Sequence, residues 1–317
     1  MLDVVALGEL LIDFTCVGTD SDGYPTMSAH PGGAPANFLA ALAKFGAKTA
    51  MLGKVGSDAF GKLLLTTLNR AGISTDGMIV TDDVFTTLAF VTLDKTGNRE
   101  FSFSRKPGAD TCITFEELNL KLIDDAKVFH FGTLSLTDEP ARSATYRAVE
   151  YAKAAGKLIT YDPNLRKPLW KDLEEAKKQL VWGLAQADVV KISDEEVEFL
   201  FGLGVEDGAD YILQNFGVKL VFVTCGADGC YFKNAVASGK VPALSGIKVI
   251  DTTGAGDIFG GSTLWKLLEL GKAPEILNND ELTEIVRFAC ASAGLSTTKS
   301  GGISSVHDYE SVIQAMR

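Results

Sequence analysis

Short apolar runs alternate with stretches of helical periodicity along most of the chain. Residues 3–8 read as a buried strand, 35–45 as a helix closed by Gly46, and 48–52 as another strand. Further strands are predicted over 126–131, 157–161, 188–192 and 219–224, with helices over 140–155, 173–185 and 207–216 between them. This βα alternation predicts an α/β fold with a mostly parallel sheet covered by helices on both faces. Ligands in such a fold gather at the carboxyl ends of the strands.

Two segments break the rhythm. Runs at 86–93 and 99–104 flank the turn-rich Asp94-Lys-Thr-Gly-Asn98, and Phe101 and Phe103 alternate with Glu100, Ser102 and Ser104, which predicts a hairpin outside the parallel sheet. Residues 15–30, rich in Gly, Asp and Ser, form the other interruption. Together they suggest a small β flap over the sheet's edge; on pattern alone, two surface excursions without a role explain them equally well.

Composition narrows the class. With 46% hydrophobic and 22% charged residues in 317, the chain is neither disordered nor fibrous, and its length suits two domains or one large α/β domain. A net charge of -11 argues against a nucleic-acid binder working through an exposed basic face. The first segment carries Asp3, Glu9 and Asp13 where a signal peptide would be basic and then apolar, so a cytoplasmic protein is expected, with no membrane partner. Five scattered cysteines without a CxxC, beside three histidines, argue against a disulfide scaffold or a structural zinc site.

The strongest chemical feature is Asp251-Thr-Thr-Gly254-Ala255-Gly256-Asp257, which follows an apolar segment and opens a helical stretch. Small residues at 254–256 let backbone N–H groups face an anion, and the helix that starts there adds its positive end. Asp257 repels such an anion, which makes sense if it takes the proton from a nucleophile attacking phosphorus. It is equally an acidic first-turn residue favoured by the helix dipole. The glycine spacing approaches a dinucleotide fingerprint, but it lies late in the chain and its third glycine, Gly260, is one position out of register; no GxxxxGK[ST], HExxH or GxSxG occurs. Near the other end, Gly32-Gly33-Ala-Pro-Ala-Asn37 leads into the first long helix. Paired glycines let a polyhydroxylated ligand touch backbone, Asn37 offers a donor and an acceptor, and Asp13 can accept two sugar hydroxyls. Each alone is also consistent with a turn or a solvated carboxylate.

The pair GGAPAN and DTTGAGD resembles the two signatures of the ribokinase-like carbohydrate kinases, the PfkB family, and the resemblance spans essentially the whole chain. Segments 99–110, 130–133, 161–170 and 191–196 are most similar to the fructokinase subfamily; 2-keto-3-deoxygluconate kinases share the Asp162-x-Asn164-x-Arg166 pattern. The resemblance implies a single three-layer α/β/α sandwich over 1–317 with a small β-sheet lid formed by insertions at about 14–30 and 86–105. It implies ATP-dependent phosphorylation of a sugar's primary hydroxyl, fructose foremost, with 2-keto-3-deoxygluconate, ribose and nucleoside kinases as alternatives. A non-catalytic sugar or nucleotide sensor is the alternative of another class.

By the same resemblance Asp257 is the catalytic base and Gly254, Ala255 and Gly256 form the anion hole. Asp13, Gly32, Gly33 and Asn37 hold the sugar, with Phe103, Arg105 and Arg166 closing over it. Asn164 and Ser193 face the nucleotide phosphates, and Thr224-x-Gly226-x-x-Gly229 helps hold ATP near the 292–302 segment. The family's Asn-x-x-Glu motif bears on Mg²⁺; Glu196 is kept here and Ser193 replaces the Asn. Asp251 and Thr253 match positions that bind K⁺ in several relatives. A homodimer through the lid is a further expectation.

Overall fold

The computed structural model describes residues 1–93 and 99–317; the predicted hairpin loop at 94–98 lies outside them. In chain order the strands are β1 (Leu2–Leu7), β2 (Leu11–Thr19), β3 (Pro25–Gly32), β4 (Thr49–Gly56), β5 (Ile73–Thr81), β6 (Leu88–Leu93), β7 (Arg99–Ser104), β8 (Ala126–Gly132), β9 (Leu158–Asp162), β10 (Val189–Ser193), β11 (Leu220–Thr224), β12 (Cys230–Asn234) and β13 (Ser238–Val241). The helices are α1 (Ala34–Lys44), α2 (Ala59–Arg70), α3 (Leu120–Asp125), α4 (Ala141–Ala154), α5 (Leu173–Leu184), α6 (Asp194–Phe201), α7 (Val205–Phe216), α8 (Ala255–Leu270), α9 (Asn279–Ser296) and α10 (Tyr309–Ala315).

Among the described residues the strands form two sheets. The larger runs β13-β12-β11-β10-β9-β8-β1-β4-β5 and is parallel except where β12 and β13 fold back antiparallel at one edge. Successive residues of β1 serve opposite cores. Val4 and Ala6 belong to the core that also holds Phe38 and Leu42 of α1, Ile258 of α8 and Ile285 of α9, whereas Val5 and Leu7 belong to the core that holds Ala144 and Ala148 of α4 and Ile212 of α7. That is the period-2 consequence of a strand buried on both faces. Each fully buried branched or aromatic side chain there contributes ~1.5–3 kcal/mol of transfer free energy.

The smaller sheet, β3-β2-β6-β7, is the predicted flap, but its first strand begins at Leu11 rather than beyond residue 14. Leu11 and Ile12 look like a continuation of β1; the break at Gly8–Leu10 turns them into a different sheet. Phe14 stacks on Phe90 at 5.3 Å and meets Phe60 of α2 edge-on at 5.5 Å, which fixes one face of the small sheet against the body. The opposite face carries a row across four strands, because Asp13 is directly paired with His30 and with Ala89, and Ala89 with Phe103. No helix among the described residues is long and apolar enough to cross a membrane.

Candidate active site

The turn before α8 is built around Gly254, whose φ of 77° lies in the left-handed region and whose hypothetical Cβ would stand 2.9 Å from Gly302 Cα. The first intrahelical bond runs from Ile258 N to Gly254 O at 2.9 Å, so the amides of Gly256 and Asp257 have no acceptor within the helix. They are available to an anion. Asp251 holds the turn from behind: Oδ1 accepts from Thr253 N at 2.9 Å and from Thr253 Oγ1 at 2.7 Å, and Oδ2 accepts from Gly301 N at 3.0 Å.

Asp257 is buried in the first turn of α8. Asn37, in the first turn of α1, donates from Nδ2 to Asp257 Oδ2 at 2.8 Å. Burial pushes the Asp257 carboxyl above its usual range and nearby Glu196 adds to this, while the Asn37 bond, Lys191 and Arg166 oppose it. The result is a carboxylate more basic than an exposed one. Asp13 behaves alike: burial, with Asp257 and Asp251 adding to it and Arg166 opposing, lifts it to about 7. Its Oδ2 occupies the space a side chain on residue 32 would need, which explains Gly32. Gly33 caps α1 from φ 118°, and Glu9 Oε1 accepts from Ala34 N at 2.8 Å.

The nucleotide candidates line consecutive strand ends. Asn164 follows β9 and takes a left-handed φ of 47°; its loop is held by Thr133 Oγ1, which donates to Pro163 O at 2.5 Å. Ser193 ends β10 directly beside Thr224, which ends β11. Glu196 joins two of these loops, since Oε1 accepts from Leu165 N at 2.7 Å and Oε2 from Ser193 N at 2.9 Å. Both oxygens thus serve backbone amides, an arrangement compatible with a metal influenced through water. Ser193 Oγ accepts from Glu196 N at 3.2 Å and caps α6. Gly226 and Gly229 form the tight turn between β11 and the antiparallel β12, with Cys225 N donating to Gly229 O at 2.8 Å.

Arg105 departs from the expectation that it reaches over the sugar. Its side chain is 2% exposed, Nε donates to Asp110 Oδ2 at 2.8 Å, Nη1 to Thr137 Oγ1 at 2.7 Å and Nη2 to Leu134 O at 2.8 Å. The guanidinium therefore anchors the end of β7 to the body. Arg166 is half-buried and electrostatically close to both Asp13 and Asp257. Phe103 shares a sheet face with Asp13, as the row through Ala89 requires.

Sequence reasoning overlooked Glu9 and the Lys191–Asp162 pair. Lys191 Nζ lies 3.1 Å from Asp162 Oδ2, with side chains 12% and 7% exposed. Burial pushes this ammonium down, but the carboxylates of Asp162, Glu196 and Asp257 outweigh that and keep it a cation. The available signal was a lysine inside the apolar run Val189-Val190-Lys191-Ile192.

Over residues 1–308 the chain matches the pfkB family of carbohydrate kinases. It is 44% identical over 307 residues to fructokinase-2 of Solanum lycopersicum, covering 95% of this chain and 92% of that protein. A fructokinase from Xylella fastidiosa with bound ATP superposes with a TM-score of 0.90 at 31% identity, covering 100% of this chain and 98% of that one. A fructokinase from Vibrio cholerae O395 in its fructose-, ADP- and calcium-bound form gives 0.85 at 28% identity, covering 100% and 99%. The chain belongs to the pfkB carbohydrate kinases, and its architecture is the ribokinase-like α/β fold.

Proposed function

We propose that the protein transfers the γ-phosphoryl group of ATP to the primary hydroxyl of D-fructose, giving fructose 6-phosphate in the cytoplasm. The observation that carries this reading is the buried Asp257 carboxylate, held by Asn37 at the start of α8, where the Gly256 and Asp257 amides have no acceptor within the helix. The sugar lies against Asp13, Gly32, Gly33 and Asn37, beneath Phe103, with Arg166 at its edge. Asp257 takes the hydroxyl proton as the oxygen attacks the γ-phosphorus in line, and the amides at 254–256 stabilise charge on the transferring group. Asn164, Ser193, Thr224, Gly226 and Gly229 hold the nucleotide.

Mg²⁺ enters this reading with the phosphates. Among the described residues no cluster of three or more His, Cys, Asp or Glu side chains is arranged to hold a metal by itself. Glu196, whose oxygens already accept amide protons, fits an indirect contact; bound Mg²⁺ supplies neutralisation of phosphate charge. K⁺ beside Asp251 and Thr253, and a homodimer through the small sheet, where Val17 and Tyr24 are 62% and 69% exposed, complete the proposal.

A coupled ADP-release assay over fructose, ribose, glucose, adenosine and 2-keto-3-deoxygluconate tests it. Fructose is expected to give the dominant kcat/KM. Another sugar in first place overturns the substrate, and no sugar-dependent ADP release overturns the kinase reading.

A further inference from the structure

Lys191 stands under the anion-binding turn without an assigned role. It projects from β10 between Val190 and Ile192, which belong to the core on the other face of the sheet. Its Nζ is 3.1 and 3.3 Å from the two oxygens of Asp162, and 3.0 Å from the point a Cβ on Gly256 would occupy. Gly256 is the second residue of α8 and does not take a positive φ, so its backbone accepts any L-residue. The atom a side chain at 256 would crowd first is the ammonium nitrogen.

That placement is electrostatically costly. A cation beside the positive end of a helix is repelled by it, and burial adds a desolvation penalty. Asp162 compensates, with Asp257 and Glu196 contributing at longer range. An ammonium has three N–H donors, and the single Asp162 carboxylate accepts from two at most in the observed geometry. A helix N-terminus, a buried ammonium with a remaining donor and a general base thus converge on one small volume, an arrangement suited to a multiply charged anion.

We propose that Lys191 is a further catalytic residue of the phosphoryl transfer: its ammonium donates to a non-bridging oxygen of the transferring group alongside the amides of residues 254–256. This rests on the kinase reading above. In the step, the bond from phosphorus to the ADP oxygen breaks, the bond from phosphorus to the sugar oxygen forms, the hydroxyl proton passes to Asp257, and Lys191 keeps its own protons throughout. The bland competitor is that Lys191 only neutralises Asp162.

The two roles separate in a paired variant. Lys191→Met alone lowers kcat and also leaves Asp162 as an uncompensated buried charge. Lys191→Met/Asp162→Asn removes both charges, and its fold is checked by thermal melting. If Lys191 contacts the phosphoryl group, the double variant stays ~10²–10³-fold slow in kcat, the size of losing one donor to a developing oxyanion, with fructose KM little changed. Recovery of turnover to near the wild-type value overturns the proposal. A binding readout stands independent of turnover: calorimetry with β,γ-methylene-ATP and with ADP. The wild type is expected to prefer the triphosphate analogue and the double variant to lose that preference; the same ratio in both proteins overturns the role. A wild type inactive on every sugar sinks the kinase reading, and the nucleotide comparison then decides Lys191 by itself.

Discussion

Asn37 and Asp257, 220 positions apart, share a buried hydrogen bond from the amide Nδ2 to the carboxylate Oδ2. It joins the first turns of α1 and α8, so the two signature segments meet at one contact. The other amide atom, Oδ1, is buried and has no hydrogen-bond partner among the described residues. Leaving such an acceptor unsatisfied costs ~1–3 kcal/mol. Oδ1 faces the backbone of Gly302, where a Cβ would stand 2.1 Å from it, so the amide is held against the 301–302 turn while its Nδ2 aligns the Asp257 carboxylate.

Replacing Asp257 by Asn keeps the shape and the Asn37 contact while removing the proton acceptor. The variant is expected to lose ~10²–10⁴-fold in kcat, the usual contribution of a positioned base, while binding fructose almost as the wild type does. Steady-state kinetics together with sugar titration by calorimetry measure both quantities. Near-normal turnover would remove Asp257 from its role.

Arg105 and Asp110 form a buried pair that supports the small sheet. Removing one member of such a pair leaves the other charge uncompensated, at ~3–5 kcal/mol of stability. Arg105→Met and Asp110→Asn should therefore each lower the melting temperature strongly, and the double variant should recover part of the loss. A protein of unchanged stability with a raised fructose KM in Arg105→Met alone would return Arg105 to the substrate.

The fold was largely readable because its central strands are buried on both faces and separated by amphipathic helices, a contrast local enough to see in a few residues. The small sheet starts a little before the expected lid boundary at about residue 14, because Leu11 and Ile12 carry the same apolar signal as β1 and only tertiary pairing with β3 and β6 assigns them to the small sheet. The two signatures were readable since glycine chemistry is local. Lys191, Glu9 and Arg105 were not, because what each does depends on a distant partner. Asp162 lies 29 positions from Lys191, and Ala34 lies 25 from Glu9. A charge within an apolar strand is a pointer to such a partner, though not to its identity.

Asp13 titrates at about 7 because it is buried near Asp257 and Asp251, against Arg166. In the proposed function its ionised form accepts two sugar hydroxyls, so fructose affinity should fall as pH drops through that value. Asp257→Asn isolates the effect, since it removes the second carboxylate; without that neighbouring charge the Asp13 pKa drops, and the loss of affinity moves to lower pH. In Asp13→Asn/Asp257→Asn the pH dependence should vanish. Sugar titrations between pH 5 and 8 decide it, and a limb that persists in the double variant refutes the assignment.

Glu9 is 2% exposed, and burial lifts its carboxyl to about 7, with Asp110 adding and Arg105 opposing. Between the ordinary carboxylate pKa of about 4.5 and this value, the folded chain keeps a proton that the unfolded chain releases. The unfolded state then binds fewer protons, so unfolding free energy declines as pH rises across that window. The stabilisation is complete below the lower value and lost above the upper one. Glu9→Gln keeps an oxygen to accept from Ala34 N and cannot ionise. Relative to wild type it should therefore gain on the order of 1–3 kcal/mol between pH 5 and pH 8. Denaturant melts of both proteins at the two pH values measure the difference, which excludes the parallel contributions of Asp13 and Asp162, whose carboxyls burial likewise pushes up, because both proteins share them. Stability curves that run parallel across the range would show that Glu9 ionises as readily in the folded state as in the unfolded one.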